Sequence, residues 1–177
     1  MKSEMKMDKI REEWFPLVDE EGRVVGKATR RECHSGSMLL HPVVHLHIFD
    51  NEGRLFLQRR SMSKDIQPGK WDTAVGGHVD YGETIEEALH REVREELGIT
   101  HFVPRLNFVY CFTSSIEREL VHSYRTIYEG EMVIDPVEID EGRYWKIEDI
   151  ESNIGKGVFT PNFEQEFERL RKILNFF

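Results

Sequence analysis

Read for the alternation of apolar and polar positions, the chain divides into paired extended runs separated by single helices. "WFPLVD" and "RVVGKAT", joined by "EEGR", predict a first hairpin. "RRECHSGSMLLH" fits a short helix or a loop. "PVVHLHIFD", the turn "NEG" and "RLFLQRR" predict a second hairpin. "SMSKDIQPGKWD" carries Pro68 and Gly69 and reads as a loop, leading into one short strand, "TAVGGHVD". A helix follows from Thr84 to Leu97: Thr84 caps it, Glu87 completes a capping box and Gly98 ends it. Beyond it, "FVPRLNFVYCFTSS", "ELVHSYRTIYEG" and "GRYWKI" read as strands. A last amphipathic helix runs from about Pro161 to the C-terminus. Strands outnumber helices, and helices come singly, which predicts one layered α/β or α+β domain with a mixed sheet over residues 13–177, after a charged lead-in at 1–12.

The central helix breaks its own pattern. With Ile85 at zero and about 100° per residue, Ile85, Ala88, Leu89, Val93 and Leu97 share a sector centred near ~35°. Glu87, His90, Arg91 and Arg94 fall opposite, as a solvent face should. Glu96 lands at about 20° and Glu92 at about 340°, inside or at the edge of the apolar sector. A solvated face accounts for Glu86 and Glu87, but not for carboxylates one turn apart that face a core. A divalent cation resolves the conflict, since Mg²⁺ is held by one or two carboxylates together with phosphate oxygens.

Composition narrows the partners. The 177-residue chain is 39% hydrophobic, enough for one core, and its net charge of −9 disfavours a polyphosphate backbone such as nucleic acid. There is no apolar run of membrane length and no signal-peptide core near the start; two cysteines, Cys33 and Cys111, make no disulfide framework. The expectation is a cytoplasmic protein with a small-molecule partner, no nucleic acid and no membrane; a homodimer is compatible with this reading.

The spacing around the helix is more specific: Gly77, Glu83, then Arg91-Glu92-Val93-Arg94-Glu95-Glu96-Leu97-Gly98-Ile99. This resembles the signature of the Nudix hydrolases, G-x5-E-x7-R-E-U-x-E-E-x-G-U with U apolar, at every specified position. The resemblance implies a Nudix-type α/β/α sandwich and a pyrophosphohydrolase acting on a diphosphate-containing small molecule, such as a nucleoside diphosphate derivative. It implies that Glu92, Glu95 and Glu96, with the carbonyl of Gly77, hold Mg²⁺ (or Mn²⁺), and that a water attacks phosphorus. Arg91 is then the brace of a glutamate, Glu95 or Glu83, and Gly77 and Gly82 suit the tight loop before the helix.

Four segments, "VDEEGRVVGKATRRECH", "LLHPVVHLHIF", "LQRRSMSKDIQPGKWDTAVGGH" and "IERELVHSYR", are similar in order to the isopentenyl-diphosphate isomerase-like subgroup of that family. By that resemblance His34, His41, His78, Glu117 and Glu119 match a second metal site, suited to Mn²⁺ or Zn²⁺. Arg60, Lys64 and Arg30 match basic, diphosphate-binding positions. His45, His47, His90 and His122 match nothing and are read as ordinary. Gly76 stands where the isomerases carry a catalytic cysteine, and neither Cys33 nor Cys111, the latter expected in a buried strand position, replaces it. Trp71, Phe159 and Phe163 are candidate aromatics of the pocket that selects the attached group. A hydrolase is therefore the first reading; an isomerase-like enzyme and a non-catalytic diphosphate-binding module are the alternatives.

Overall fold

A computed structural model describes residues 11–174. Most of the expected lead-in, residues 1–10, and the last three residues of the expected final helix lie outside the described residues. The first hairpin forms as its pattern predicts: β1 (Trp14–Val18) pairs antiparallel with β2 (Val24–Thr29), with an irregularity at Leu17/Val18. The ambiguous segment after it resolves into a one-turn helix, α1 (Arg30–Cys33), because Thr29 and Glu32 form a reciprocal capping box.

The second expected hairpin forms only at its tip. β3 (Leu40–Phe49) and β4 (Leu55–Arg60) pair at Ile48–Phe56 and Phe49–Leu55, then diverge. Two short strands fill the gap: β5 (Trp71–Thr73), which takes Trp71 and Asp72 from the expected loop and Thr73 from the expected strand, joins β4, and β6 (Val75–His78), the middle of "TAVGGHVD", joins β3. Gln58 Nε2 donates to the carbonyl of Ala74, the residue between them. The opening between these diverging strands is the mouth of the site described below.

The helix α2 (Ile85–Leu97) follows its sequence signals closely. Thr84 and Glu87 exchange the capping-box hydrogen bonds, and Gly98 closes the helix in the left-handed region at φ 67°. β7 (Arg105–Thr113) pairs antiparallel with β8 (Arg118–Ile127), and β8 lies parallel to β3 from Leu40–Arg118 to Phe49–Ile127. β9 (Ile139–Trp145) joins β4, so a seven-stranded mixed sheet forms the centre. A further helix, α3 (Ile147–Asn153), was not signalled by the pattern; it precedes α4 (Pro161–Leu174), where Pro161 occupies the first helical position and Thr160 Oγ1 accepts from the Phe163 N–H.

The sheet is covered on both faces. Val44, Leu46, Ile48 and Phe56 pack against Ala88, Leu89, Val93 and Leu97 of α2, all four of which are fully buried. Leu55, Leu57, Trp145, Ile150, Phe163, Phe167 and Leu170 close the other face under α3 and α4. At about 25 cal/mol per Å² of apolar surface, these faces supply most of the favourable folding term. The arrangement is the expected α/β/α sandwich. Among the described residues no helix is long and apolar enough to cross a membrane.

Candidate active site

Glu92 and Glu96 do face inward, and the backbone they meet is glycine. The Gly76 N–H donates to Glu96 Oε2 at 3.3 Å, and a Cβ on Gly77 would fall within the carboxyl group of Glu92. Burial pushes the Glu92 carboxyl above its ordinary range, with Arg91 pulling the other way; Glu96 is driven well above it by burial and then by Glu92. Glu95 differs, since its side chain is 57% exposed and stands at the rim.

Arg91 corrects the helical-wheel assignment, which put it on the solvent face. Its side chain is 20% exposed and turns back over the loop before α2. Nε and Nη2 donate to the two oxygens of Glu83 at 2.6 and 2.9 Å, Nη1 to Glu92 at 2.7 Å, and Nη2 to the His78 carbonyl at 3.0 Å. The contact with Glu95 is longer, 3.4 Å, so Glu83 is the principal partner. Glu83 also accepts from the Asp80 N–H at 2.9 Å, which ties loop, strand and helix into one unit.

The second constellation also assembles. Ligand atoms of His34, His41, His78 and Glu117 all lie within 4.8 Å of one another. Glu119 stands beside them, with Oε1 3.7 Å from His78 Nε2. His34 comes from the end of α1, His41 from β3, His78 from β6 and Glu117 from the turn before β8, so only the sheet brings them together. Phe15 of the first hairpin stacks on His78 with ring centroids 4.5 Å apart, and His41 stacks near it at 5.7 Å. Burial, and then neighbouring histidine charge, lowers the His34 imidazole to about 4 and His78 well below the usual range. Burial likewise raises Glu117, and raises Glu119 to about 7.

The helix carboxylates line one cavity of about 620 Å³ together with His78 and Glu119 of the second constellation, whereas His34, His41 and Glu117 stand outside its lining. Arg60, Lys64 and Arg30 line it, but each already has an acidic neighbour: Arg60 Nη1 lies 3.5 Å from Asp72, Lys64 pairs with Glu138, and Arg30 Nη1 lies 2.9 Å from Glu13. The expected pocket aromatics are not in this cavity. Trp71, Phe159 and Phe163 are buried in the core beneath α4, where Thr160 and Val158 pair with Trp71. The cysteines also reverse the expectation: Cys111 is exposed, whereas Cys33 is the buried one, its thiol raised to about 11 by burial.

Two histidines read as ordinary are not. Glu166 of α4 is fully buried, and its carboxylate accepts from His45 Nδ1 at 2.5 Å, His47 Nε2 at 2.9 Å and Tyr110 Oη at 3.1 Å. A signal existed in the sequence, since Glu166 interrupts the apolar stripe Phe163, Phe167, Leu170 as Glu92 and Glu96 interrupt theirs.

A layered sandwich with a glutamate-bearing helix set on a glycine pair, opening into a cavity of mixed charge, has the form of an enzyme active site. The chain belongs to the NUDIX domain family, which matches residues 39–163, and is a hydrolase of that family. An uncharacterised Nudix hydrolase of Yersinia pestis is 31% identical over 85% of this chain and 81% of its own length. An isopentenyl-diphosphate Delta-isomerase of Brevibacterium linens is 28% identical over 92% of this chain and 93% of its own. A crystal structure from Deinococcus radiodurans superposes with a TM-score of 0.75 at 28% identity, covering 89% of this chain and 98% of that one.

Proposed function

We propose that this protein is a metal-dependent pyrophosphohydrolase that cleaves the diphosphate linkage of a nucleoside diphosphate derivative or a related compound. The observation that carries the reading is the pair of inward carboxylates, Glu92 and Glu96, set against the Gly76–Gly77 backbone at the cavity wall. Among the described residues Arg91 is the one cation paired with these two carboxylates, and it reaches Glu92 alone; glycine leaves room beside Glu92 that any other residue would fill. Glu92, Glu96 and Glu95, with the Gly77 carbonyl, would hold Mg²⁺ or Mn²⁺. When bound, such an ion supplies neutralisation of diphosphate oxygens and a water acidified toward neutral pH.

The second set fits an ion on separate grounds. His41 Nε2 is buried without a hydrogen-bond partner, and the Nε2 atoms of His34 and His78 face each other at 3.1 Å. Three imidazole nitrogens and a Glu117 oxygen converging in this way suit Mn²⁺ or Zn²⁺, with Glu119 as a neighbouring fifth ligand. The chain's own residues do the rest. Arg91 and Glu83 fix the helix carboxylates, Arg60, Lys64 and Arg30 attract phosphate oxygens, and cavity carboxylates accept the proton released as water breaks the anhydride bond.

The test is a panel of nucleoside di- and triphosphates, sugar nucleotides, dinucleotides and coenzyme A, with Mg²⁺ or Mn²⁺. Hydrolysis of at least one compound should require metal, and Glu92→Gln should lower kcat by at least about 10²-fold in a folded protein. No turnover across the panel, or near-wild-type turnover in the variant, overturns the reading. An isomerase-like activity is the second reading, favoured by convergence of four of the five subgroup residues, with the fifth, Glu119, beside them, and by the Brevibacterium relative. Gly76 argues against it, because it offers no acid–base side chain at the cysteine position.

A further inference from the structure

The alternation of β3 places His41, Val43, His45 and His47 on one face while Val44, Leu46 and Ile48 pack under α2. Of this row, His41 belongs to the histidine cluster and His47 is fully buried, but His45 lines the cavity. We propose that His45 is a substrate-contacting residue, donating through Nε2 to a phosphate oxygen of the diphosphate, and that Glu166, His47 and Tyr110 position it. The proposal rests on the hydrolase reading above and adds to it a cation that neither motif contains.

The arrangement of hydrogens follows from the partners. A carboxylate only accepts, so the Glu166 oxygens take the Nδ1–H of His45, the Nε2–H of His47 and the hydroxyl of Tyr110. His47 is fully buried and its Nδ1 has no hydrogen-bond partner among the described residues, so of the two imidazoles on Glu166 it is His45 that presents an edge to the cavity. Burial alone would depress the His45 imidazole, yet Glu166 outweighs it and raises the group to about 9. Burial similarly opposes the charge on Glu166, but His45 and His47 hold its carboxyl well below the usual range.

The free edge of the ring is aimed at the chemistry. No described residue takes a hydrogen bond from His45 Nε2, and the cavity carboxylates Glu119 and Asp72 act on the imidazole through their charge without a hydrogen bond to it. That edge lies along Gly76: a Cβ there would stand 3.3 Å from Cδ2 and 3.6 Å from Nε2. The amide of the same glycine donates to Glu96, so the imidazole and the helix carboxylates flank one short piece of backbone. Arg30, Arg60 and Lys64 divide their charge with acids inside the cavity. His45 keeps its counterion behind it, beneath the cavity wall, and its ring is held by three elements: β3, β7 through Tyr110, and α4 through Glu166. A cation so fixed loses little entropy on binding phosphate.

The experiment uses methylenediphosphonate, which carries the diphosphate charge but cannot be hydrolysed, titrated with Mg²⁺ into wild-type protein and His45→Asn. The asparagine amide can still donate to Glu166 from about the Nδ1 position, and it lacks Nε2. Affinity should fall about 10- to 100-fold, as loss of one charge-assisted hydrogen bond predicts, at an unchanged fold by circular dichroism. In wild-type protein labelled with ¹⁵N at histidine, the probe should move the Nε2 signal of the imidazolium still protonated at pH 8. That readout needs no variant to fold. Unchanged affinity in a folded His45→Asn protein, or an unmoved signal in wild-type protein that binds the probe, overturns the role of His45 and leaves the hydrolase reading intact. Wild-type protein that neither binds the probe nor hydrolyses any member of the panel overturns that reading, and this one with it.

Discussion

Replacing Glu96 with glutamine should stabilise the metal-free protein while removing its response to metal. Glu96 is driven well above the ordinary carboxylate range by burial and by Glu92 one turn away, and the one hydrogen bond its side chain makes among the described residues is the 3.3 Å contact from Gly76. Glutamine retains an oxygen for that amide and carries no charge. The relief, that of a buried charge without an adequate partner, is about 1–3 kcal/mol. In a chain of this size that is a rise of roughly 3–10 °C in Tm. The pH sense follows from linkage: the folded-state pKa of Glu96 is raised, so the folded protein binds more protons than the unfolded one between the two values. The wild-type carboxylate is protonated at acid pH and begins to destabilise above the unfolded value of 4.5. The gain from glutamine should therefore be greatest near pH 8 and shrink toward pH 5. Wild-type protein with metal at about a hundredfold excess over Kd should gain roughly 2.7 kcal/mol, and the variant far less. Differential scanning calorimetry at both pH values, with EDTA and then with Mg²⁺, measures all four quantities. A variant that melts lower than wild type at pH 8 in EDTA, with metal stabilisation preserved, would show that Glu96 is a structural carboxylate and refute the reasoning.

Gly77→Ala should lower kcat by about 10²-fold or more, because the new methyl group displaces the Glu92 carboxyl; a turnover assay beside a melting curve separates this from unfolding. Elemental analysis of protein purified without chelator should find about one equivalent of Mn or Zn, and His41→Ala should lose it while Mg²⁺ still stabilises the protein; equal metal content in both would remove His41 from the ligand set. Isopentenyl diphosphate incubated in deuterated water should be recovered without solvent deuterium in dimethylallyl diphosphate, since Gly76 supplies no acid–base group. Catalytic formation of the labelled product would make the isomerase reading primary.

What the linear chain determines is what local physics determines. The ends of α2 follow from Thr84, Glu87 and Gly98, which settle backbone hydrogen bonds within a few residues of themselves. The first hairpin follows from two short extended runs and a four-residue turn. The inward position of Glu92 and Glu96 follows from helical period alone, and the same count marks Glu166: with Phe163 at zero, Phe167 falls at about 40° and Leu170 at about 340°, and Glu166 lands at about 300°, at the edge of that apolar sector beside Leu170. Its partners could not be read in this way. His45 lies 121 positions from Glu166, and only the docking of α4 on β3 makes a buried charge of them.

Tertiary structure also decided the strand partners. β3 spends its length on β8 and β6 rather than on the hairpin neighbour its turn suggested, because both of its faces are buried and non-local pairing covers it better. That choice splays β3 from β4, opens the cavity and draws His34, His41, His78 and Glu117 from four separate places into one cluster. Helical period places Arg91 on the solvent face because it describes a helix and not the loop beside it, where Glu83 and the His78 carbonyl accept the guanidinium hydrogen bonds. Trp71, Phe159 and Phe163 are candidates for the pocket in the sequence because aromatic residues look alike there, whether they meet a ligand or a core. Which of the two they meet depends on the path of the chain into α4, and that path buries them.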